Sequence, residues 1–199
     1  MSSHYFVKEG QEPALVILDG MPFSAAADLL AWAPLVVVAD RALEVVISWG
    51  IKVDVVVTLG GEPVVSDLLE LQQPLHIIAA SDESHGISEV FRYLASQRNS
   101  AVAILASEPE KIMSTVTSIN IGKGANLDIT IQNGSVRWSR LAHNFHKWFP
   151  ANTRFRLFSA AAAFPEVDGT VREGDDFVTV SDGIIQIPGN PGLWIGEYF

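Results

Sequence analysis

Short β-branched, largely apolar runs alternate with longer amphipathic stretches through roughly the first 120 residues, and this alternation restricts the fold more than any other feature of the chain. The runs lie at residues 15–18, 35–38, 53–57, 75–79 and 101–105. Near-continuous rather than alternating apolarity is what a strand shows when helices cover both of its faces, as in a parallel sheet. Amphipathic helices are expected between them over 23–32, 41–49, 63–72, 84–97 and 108–117. Pro63 and Pro109 suit first helical turns, where a missing amide costs no bond, and each has an acidic neighbour that favours the positive helix end. Strand and helix repeated in this way predict a doubly wound α/β sheet with right-handed crossovers.

After about residue 122 the pattern changes. Residues 127–132 and 135–139 flank Asn133-Gly134, a strong hairpin signal, and Asp182-Gly183 between 177–180 and 184–187 reads as a second hairpin. Residues 154–159 alternate as well. The expectation is an α/β domain over 1–122 and a smaller antiparallel β domain over 123–199, with the break near 120–125 where Gly122, Lys123 and Gly124 interrupt periodicity.

The charge balance bounds the partners. Thirteen Lys+Arg against 23 Asp+Glu give a net charge of −10, which argues against nucleic acid, whose binding rests on basic side chains. With 48% hydrophobic and 18% charged residues the chain is expected to be globular, and no apolar run is long enough to span a membrane. The first dozen residues lack the apolar stretch of a secretory signal, and cysteine is absent, which together suit the cytoplasm.

In an open parallel sheet the ligand crevice lies beyond the carboxyl ends of the strands. Those ends deliver Asp19-Gly20, Asp40, residues 58–62 with Gly60-Gly61, Ser81-Asp82 and Ser107-Glu108. Grouped carboxylates there make a candidate Mg²⁺ or ribose site; alternatively, Asp and Gly form turns and cap helices. Neither G-x-G-x-x-G after the first strand nor a P-loop motif is present, and Ser159 lacks the G-x-S-x-G context of a hydrolase. His143 and His146 are spaced to share one helical turn, as metal ligands or as part of a surface helix. Trp138, Trp148 and Trp194 are either core or interface residues, with the alternative that one of them stacks on a flat ligand.

The order of these pieces resembles the thiamine pyrophosphokinase family. Leu18-Asp19-Gly20, then Val36-Val37-Val38-Ala39-Asp40, then Gly50-Ile51-Lys52-Val53-Asp54 are similar to the family's opening strands, and Arg154 through Ser159, Phe177-Val178-Thr179-Val180 and Leu193-Trp194 are similar to its closing ones. The resemblance covers nearly the whole chain. It implies an α/β catalytic domain, a β-sandwich thiamine-binding domain, a homodimer with active sites between subunits, and transfer of pyrophosphate from ATP to thiamine with Mg²⁺. It points to Asp40, Asp54 and Asp82 as catalytic, to Asp40, Asp82 and Glu62 as metal ligands, and to Gly20, Arg41, Gly60, Gly61, Ser84 and Trp194 as ligand-binding.

The chain departs from the family at these same motifs. A-D-G-G-A is replaced by Ala39-Asp40-Arg41-Ala42-Leu43, G-D-x-D-S by Thr58-Leu59-Gly60-Gly61-Glu62, and D-x-T-D by Asp82-Glu83-Ser84-His85. The two aspartates of G-D-x-D-S that the resemblance implies as Mg²⁺ ligands are gone, and with them the main electrostatic contribution to phosphoryl transfer, which leaves Asp40, Asp82 and Glu62 to hold a displaced metal. Three readings stand: an ATP-dependent thiamine pyrophosphokinase, with Arg41 as a substitute positive charge; a non-catalytic relative that binds thiamine, a nucleotide or a similar heterocycle; and a scaffold whose crevice Arg41 fills.

Overall fold

In the computed structural model, which describes residues 13–32, 34–60, 67–119, 127–160 and 164–199, all five expected parallel strands form. They are β1 (Ala14–Ile17), β2 (Val36–Ala39), β3 (Val55–Thr58), β4 (His76–Ala79) and β5 (Ala101–Leu105). Their order is β5-β1-β2-β3-β4, every pair parallel. The chain divides into two compact units, Met1–Ser107 with Ile119–Ile129, and Glu108–Ser118 with Thr130–Phe199. The break expected near 120–125 falls on residues outside those described.

Alternate residues of the parallel strands feed two cores. Leu15, Ile17, Val36, Val38, Val56 and Leu105 pack with Leu43 and Val46 of α2 (Leu43–Ser48). On the other face Val16, Leu18, Val57 and Ile104 meet Ile87, Val90 and Phe91 of the helix over Glu83–Ser96. The sheet is therefore covered on both sides, which is why its strands are apolar almost throughout. Only the edge strand β4 is largely exposed.

The helices differ in how they start. The expected helix over 23–32 is a 3-10 turn, Phe23–Ala25, followed by the four-residue α1 (Ala27–Leu30), and the one over 41–49 opens as a 3-10 turn, Asp40–Ala42, before α2. Neither start has a side-chain cap, and the first amides instead reach back three residues, as from Ala25 N to Pro22 O at 2.9 Å. By contrast α3 (Glu83–Ser96) has Asp82 as N-cap, its carboxylate accepting from His85 N at 2.9 Å, and runs for 14 residues. A Cβ at Gly86 would lie 2.5 Å from Leu59 Cδ2, so glycine lets this helix sit close to the sheet near its start. Of the expected helix over 63–72, the described part is a 3-10 stretch, Asp67–Gln72; Pro63 and its neighbours lie outside the described residues. Further along, α4 (Pro109–Ser118) begins at the expected proline.

The second unit is antiparallel. Its strands are β6 (Asp128–Gln132), β7 (Val136–Arg140), β8 (Phe145–Phe149), β9 (Arg154–Ser159), β10 (Thr170–Glu173), β11 (Asp176–Thr179), β12 (Gly183–Ile187) and β13 (Leu193–Tyr198). One sheet runs β10-β11-β9-β13-β7-β6, and a two-stranded sheet pairs β8 with β12. Between them Phe149, Phe155, Phe177, Ile185, Ile187 and Ile195 form the sandwich core. The opposite face of the larger sheet meets α4, where Trp194 Nε1 donates to Thr117 Oγ1 at 3.3 Å.

The Asn133-Gly134 hairpin forms, with Gly134 at φ 92° and Asn133 Oδ1 accepting from Val136 N at 3.2 Å. The Asp182-Gly183 hairpin does not. Both edges of β11 are already occupied, by β9 and β10, so β12 pairs with β8 in the other sheet. Asp182 Oδ1 accepts from Ala151 N at 2.8 Å and fixes the passage from one sheet to the other.

Candidate functional site

The carboxyl ends of the five parallel strands are joined by one continuous set of hydrogen bonds. Asp19, just beyond β1, accepts from both Ser107 N and Ser107 Oγ, just beyond β5, at 2.8 Å each. Its other oxygen accepts from Arg41 Nε at 2.9 Å, and the same Nε donates to Leu18 O at 2.7 Å. Arg41 stands just beyond β2, and its Nη2 donates to Glu83 Oε1 at 2.7 Å, at the start of α3 beyond β4. Asp40 accepts from Arg41 N at 2.8 Å through one oxygen and from Leu59 N, beyond β3, at 3.1 Å through the other. Every strand end thus contributes a partner, and Arg41 is the cation at the centre.

The electrostatics follow from this arrangement. Burial opposes the charge on Asp19, but the two hydrogen bonds from Ser107 and the Arg41 guanidinium outweigh it and hold its carboxyl below the ordinary range. Burial likewise works against charge on Arg41, while Glu83 and Asp19 raise its pKa above the usual value. The His85 amide, then the Ser81 hydroxyl, depress Asp82. His85 continues this polar stripe, with Nδ1 3.3 Å from Ser81 Oγ and Nε2 3.3 Å from Glu89 Oε1.

The structure brings some of the expected residues together and separates others. Asp40, Arg41 and Asp82 lie at the carboxyl edge with Gly20, Gly60 and Ser84, all exposed or half-buried. Gly20 has Val45 Cγ2 3.2 Å from a would-be Cβ, whereas Gly60 has open space there. Gly61 and Glu62 lie outside the described residues. Asp54 is at the opposite edge: it precedes β3, accepts from Val36 N at 2.9 Å and donates its own amide to Val36 O. A residue before a parallel strand cannot share a rim with residues that follow its neighbours, so Asp54 pins the strand starts instead. Trp194 is also corrected. It is 0% exposed against α4, with no ring face available for stacking on a ligand. His146 lies on β8, not on a helix, in the wall of a cavity of about 490 Å³ that also touches Glu166 and Asp168.

The sequence places Asp19 at a strand end but does not show its pairing with Arg41, and it gives Glu83, beside Asp82, no role of its own. The one signal was Arg41 itself, an isolated cation in a run of acidic strand ends. Thr58 Oγ1, at the end of β3, is 1% exposed and is the buried side-chain polar atom without a hydrogen-bond partner among the described residues.

Among the described residues this rim offers no divalent-ion site; Glu62, one of the expected ligands, lies outside them. Mg²⁺ needs several oxygens converging at about 2.1 Å. Here each oxygen of Asp19, Asp40 and Asp82 already accepts a hydrogen bond, and no group of three metal-capable side chains occurs among the described residues.

No protein-family model matches the chain, and no curated protein does. Its fold is similar to solved structures of yeast thiamin pyrophosphokinase (TM-score 0.63, 11% identity, covering 96% of this chain and 88% of that one) and of thiamine pyrophosphokinase from Bacillus subtilis (0.57, 11%, 93% and 98%). A probable thiamine pyrophosphokinase from Staphylococcus saprophyticus gives a TM-score of 0.60 at 9% identity, covering 93% and 98%. At such identities the likeness is one of fold, and the fold is that of the thiamine pyrophosphokinases.

Proposed function

We propose that this chain is a small-molecule-binding protein on the thiamine pyrophosphokinase fold, taking thiamine, a nucleotide or a related heterocycle without Mg²⁺-dependent transfer of pyrophosphate. The observation that carries this reading is the engagement of the rim carboxylates by backbone amides, Ser107 and Arg41, with no group of three metal-capable side chains among the described residues. Positioning of metal and phosphate supplies most of the catalysis in phosphoryl transfer, so a rim closed in this way favours binding over chemistry. The unpartnered Thr58 hydroxyl at the same edge supports a polar ligand or water reaching into it.

The second reading is an active enzyme that moves pyrophosphate from ATP to thiamine with Mg²⁺, favoured by the fold it shares with thiamine pyrophosphokinases. In either case the proposal takes residues 1–122 as the nucleotide-binding half, 123–199 as the thiamine-binding half, and the protein as a cytoplasmic homodimer. No described helix is long and apolar enough to cross a membrane.

Calorimetric titration of thiamine and of ATP, with and without Mg²⁺, separates the readings. Heat from one ligand that is unchanged by Mg²⁺, with no thiamine diphosphate formed, is the expected result. Mg²⁺-dependent ATP binding with product formation would establish the enzyme instead, and silence for both ligands would leave the scaffold. Light scattering on eluted protein tests the dimer.

A further inference from the structure

We propose that the Arg41 guanidinium is the resident cation of this rim, offsetting its carboxylates and clasping the loops after β1, β2 and β4. Asp19, Asp40, Asp82 and Glu83 gather at the carboxyl edge, and such a group persists only if something positive or hydrogen-bond-donating offsets its repulsion. Backbone amides serve Asp40 and Asp82. Asp19 and Glu83 belong to loops on either side of β2 in sheet order, and Arg41 serves both, with Nε on Asp19 and Nη2 on Glu83.

The geometry suits a guanidinium rather than a metal. A planar fork can hold two carboxylates and a carbonyl in fixed directions, which a point charge cannot. Leu18 O, Asp19 Oδ1 and Glu83 Oε1 lie 2.7, 2.9 and 2.7 Å from its nitrogens, ordinary hydrogen-bond lengths. Arg41 also donates its own amide to Asp40, so the side chain and main chain of one residue reach three acidic groups. Arginine at this position therefore does two things at once: it bridges the loops and supplies positive charge between their carboxylates.

This inference rests on the same crevice as the proposed function but not on its ligand, and its test uses neither thiamine nor ATP. Mn²⁺ is titrated as a paramagnetic probe into the full chain while amide resonances of residues 18–20, 40–41, 59 and 82–85 are followed, and thermal midpoints are recorded with and without millimolar Mg²⁺. The wild-type protein is expected to show no saturable broadening at these amides and no Mg²⁺-dependent rise in midpoint. Arg41→Ala removes the clasp and is expected to lower the midpoint by several degrees. Saturable Mn²⁺ binding by the wild-type rim, or an Arg41→Ala protein with an unchanged midpoint, overturns the proposal. If Arg41→Ala is not recovered folded, Arg41→Lys keeps the charge without the fork: a lower midpoint with no Mn²⁺ uptake supports the clasp, and an unchanged midpoint refutes it. Failure of the ligand titrations leaves these outcomes untouched.

Discussion

Asp19→Asn is the sharpest probe of the rim. The aspartate accepts three hydrogen bonds, two from Ser107 and one from Arg41, and its side chain is 23% exposed. An asparagine offers one oxygen and an NH₂ group. If the oxygen faces Ser107, the NH₂ meets the Arg41 donor; if it faces Arg41, the Ser107 amide loses its partner. A hydrogen bond to a charged group contributes about 1.5–3 kcal/mol, and a partly exposed ion pair much less, so the loss is about 2 kcal/mol at neutral pH. For a chain of this size that corresponds to a fall in thermal midpoint of about 4 to 8 °C.

The pH dependence has a definite sign. Because the folded-state pKa of Asp19 is depressed, its contribution is fully present above the unfolded aspartate value of about 4 and is lost as pH falls through the lower folded value. The gap between wild type and Asp19→Asn, measured by urea unfolding, is therefore wide at neutral pH and narrows in acid below that unfolded value. A substitution that costs nothing at pH 7, or a gap that stays constant into acid, would refute the reasoning.

Other substitutions probe single contacts. Thr58→Val replaces an unpaired buried hydroxyl by a methyl of the same shape, and denaturant unfolding should find it neutral or stabilising by up to about 1 kcal/mol. Asp54→Ala removes the acceptor of Val36 N at the far edge; it should cost about 1 kcal/mol in the same assay while leaving the calorimetric heat of ligand binding unchanged. In Gly196→Val the new side chain meets Trp138 ring atoms 2.8 Å away, and an overpacking cost of about 1–3 kcal/mol should accompany an altered near-ultraviolet signal. A variant keeping only Trp194 of the five tryptophans should emit at short wavelength and resist quenching by acrylamide, because the indole is wholly buried.

Much of the fold was legible because burial on two faces leaves a direct mark on composition. Val36, Val37 and Val38 read as a strand without any partner in view, and Asn133-Gly134 demanded a turn that few other residue pairs accommodate. The first helix was less legible: its apolar spacing is helical, but its start has no capping side chain, and the chain tightens into a 3-10 turn. Asp182-Gly183 carries the same local signal as Asn133-Gly134, yet its strand goes elsewhere because the neighbouring edge is already paired, a fact held by β9 and β10 rather than by the turn.

The same division holds at the candidate site. Aspartates at strand ends are set by the local chain, since residues that stop a strand and turn toward a helix are drawn from a short list. Which edge each one occupies depends on strand direction and register, and that alone sends Asp54 away from Asp40. The charge of Arg41 is written in the chain, whereas its meeting with Asp19 and Glu83, 22 and 42 residues distant, exists only once parallel pairing has placed three loops side by side. Local sequence determines what each segment prefers; long-range packing decides what its side chains touch, because only there do distant groups share the same desolvated space.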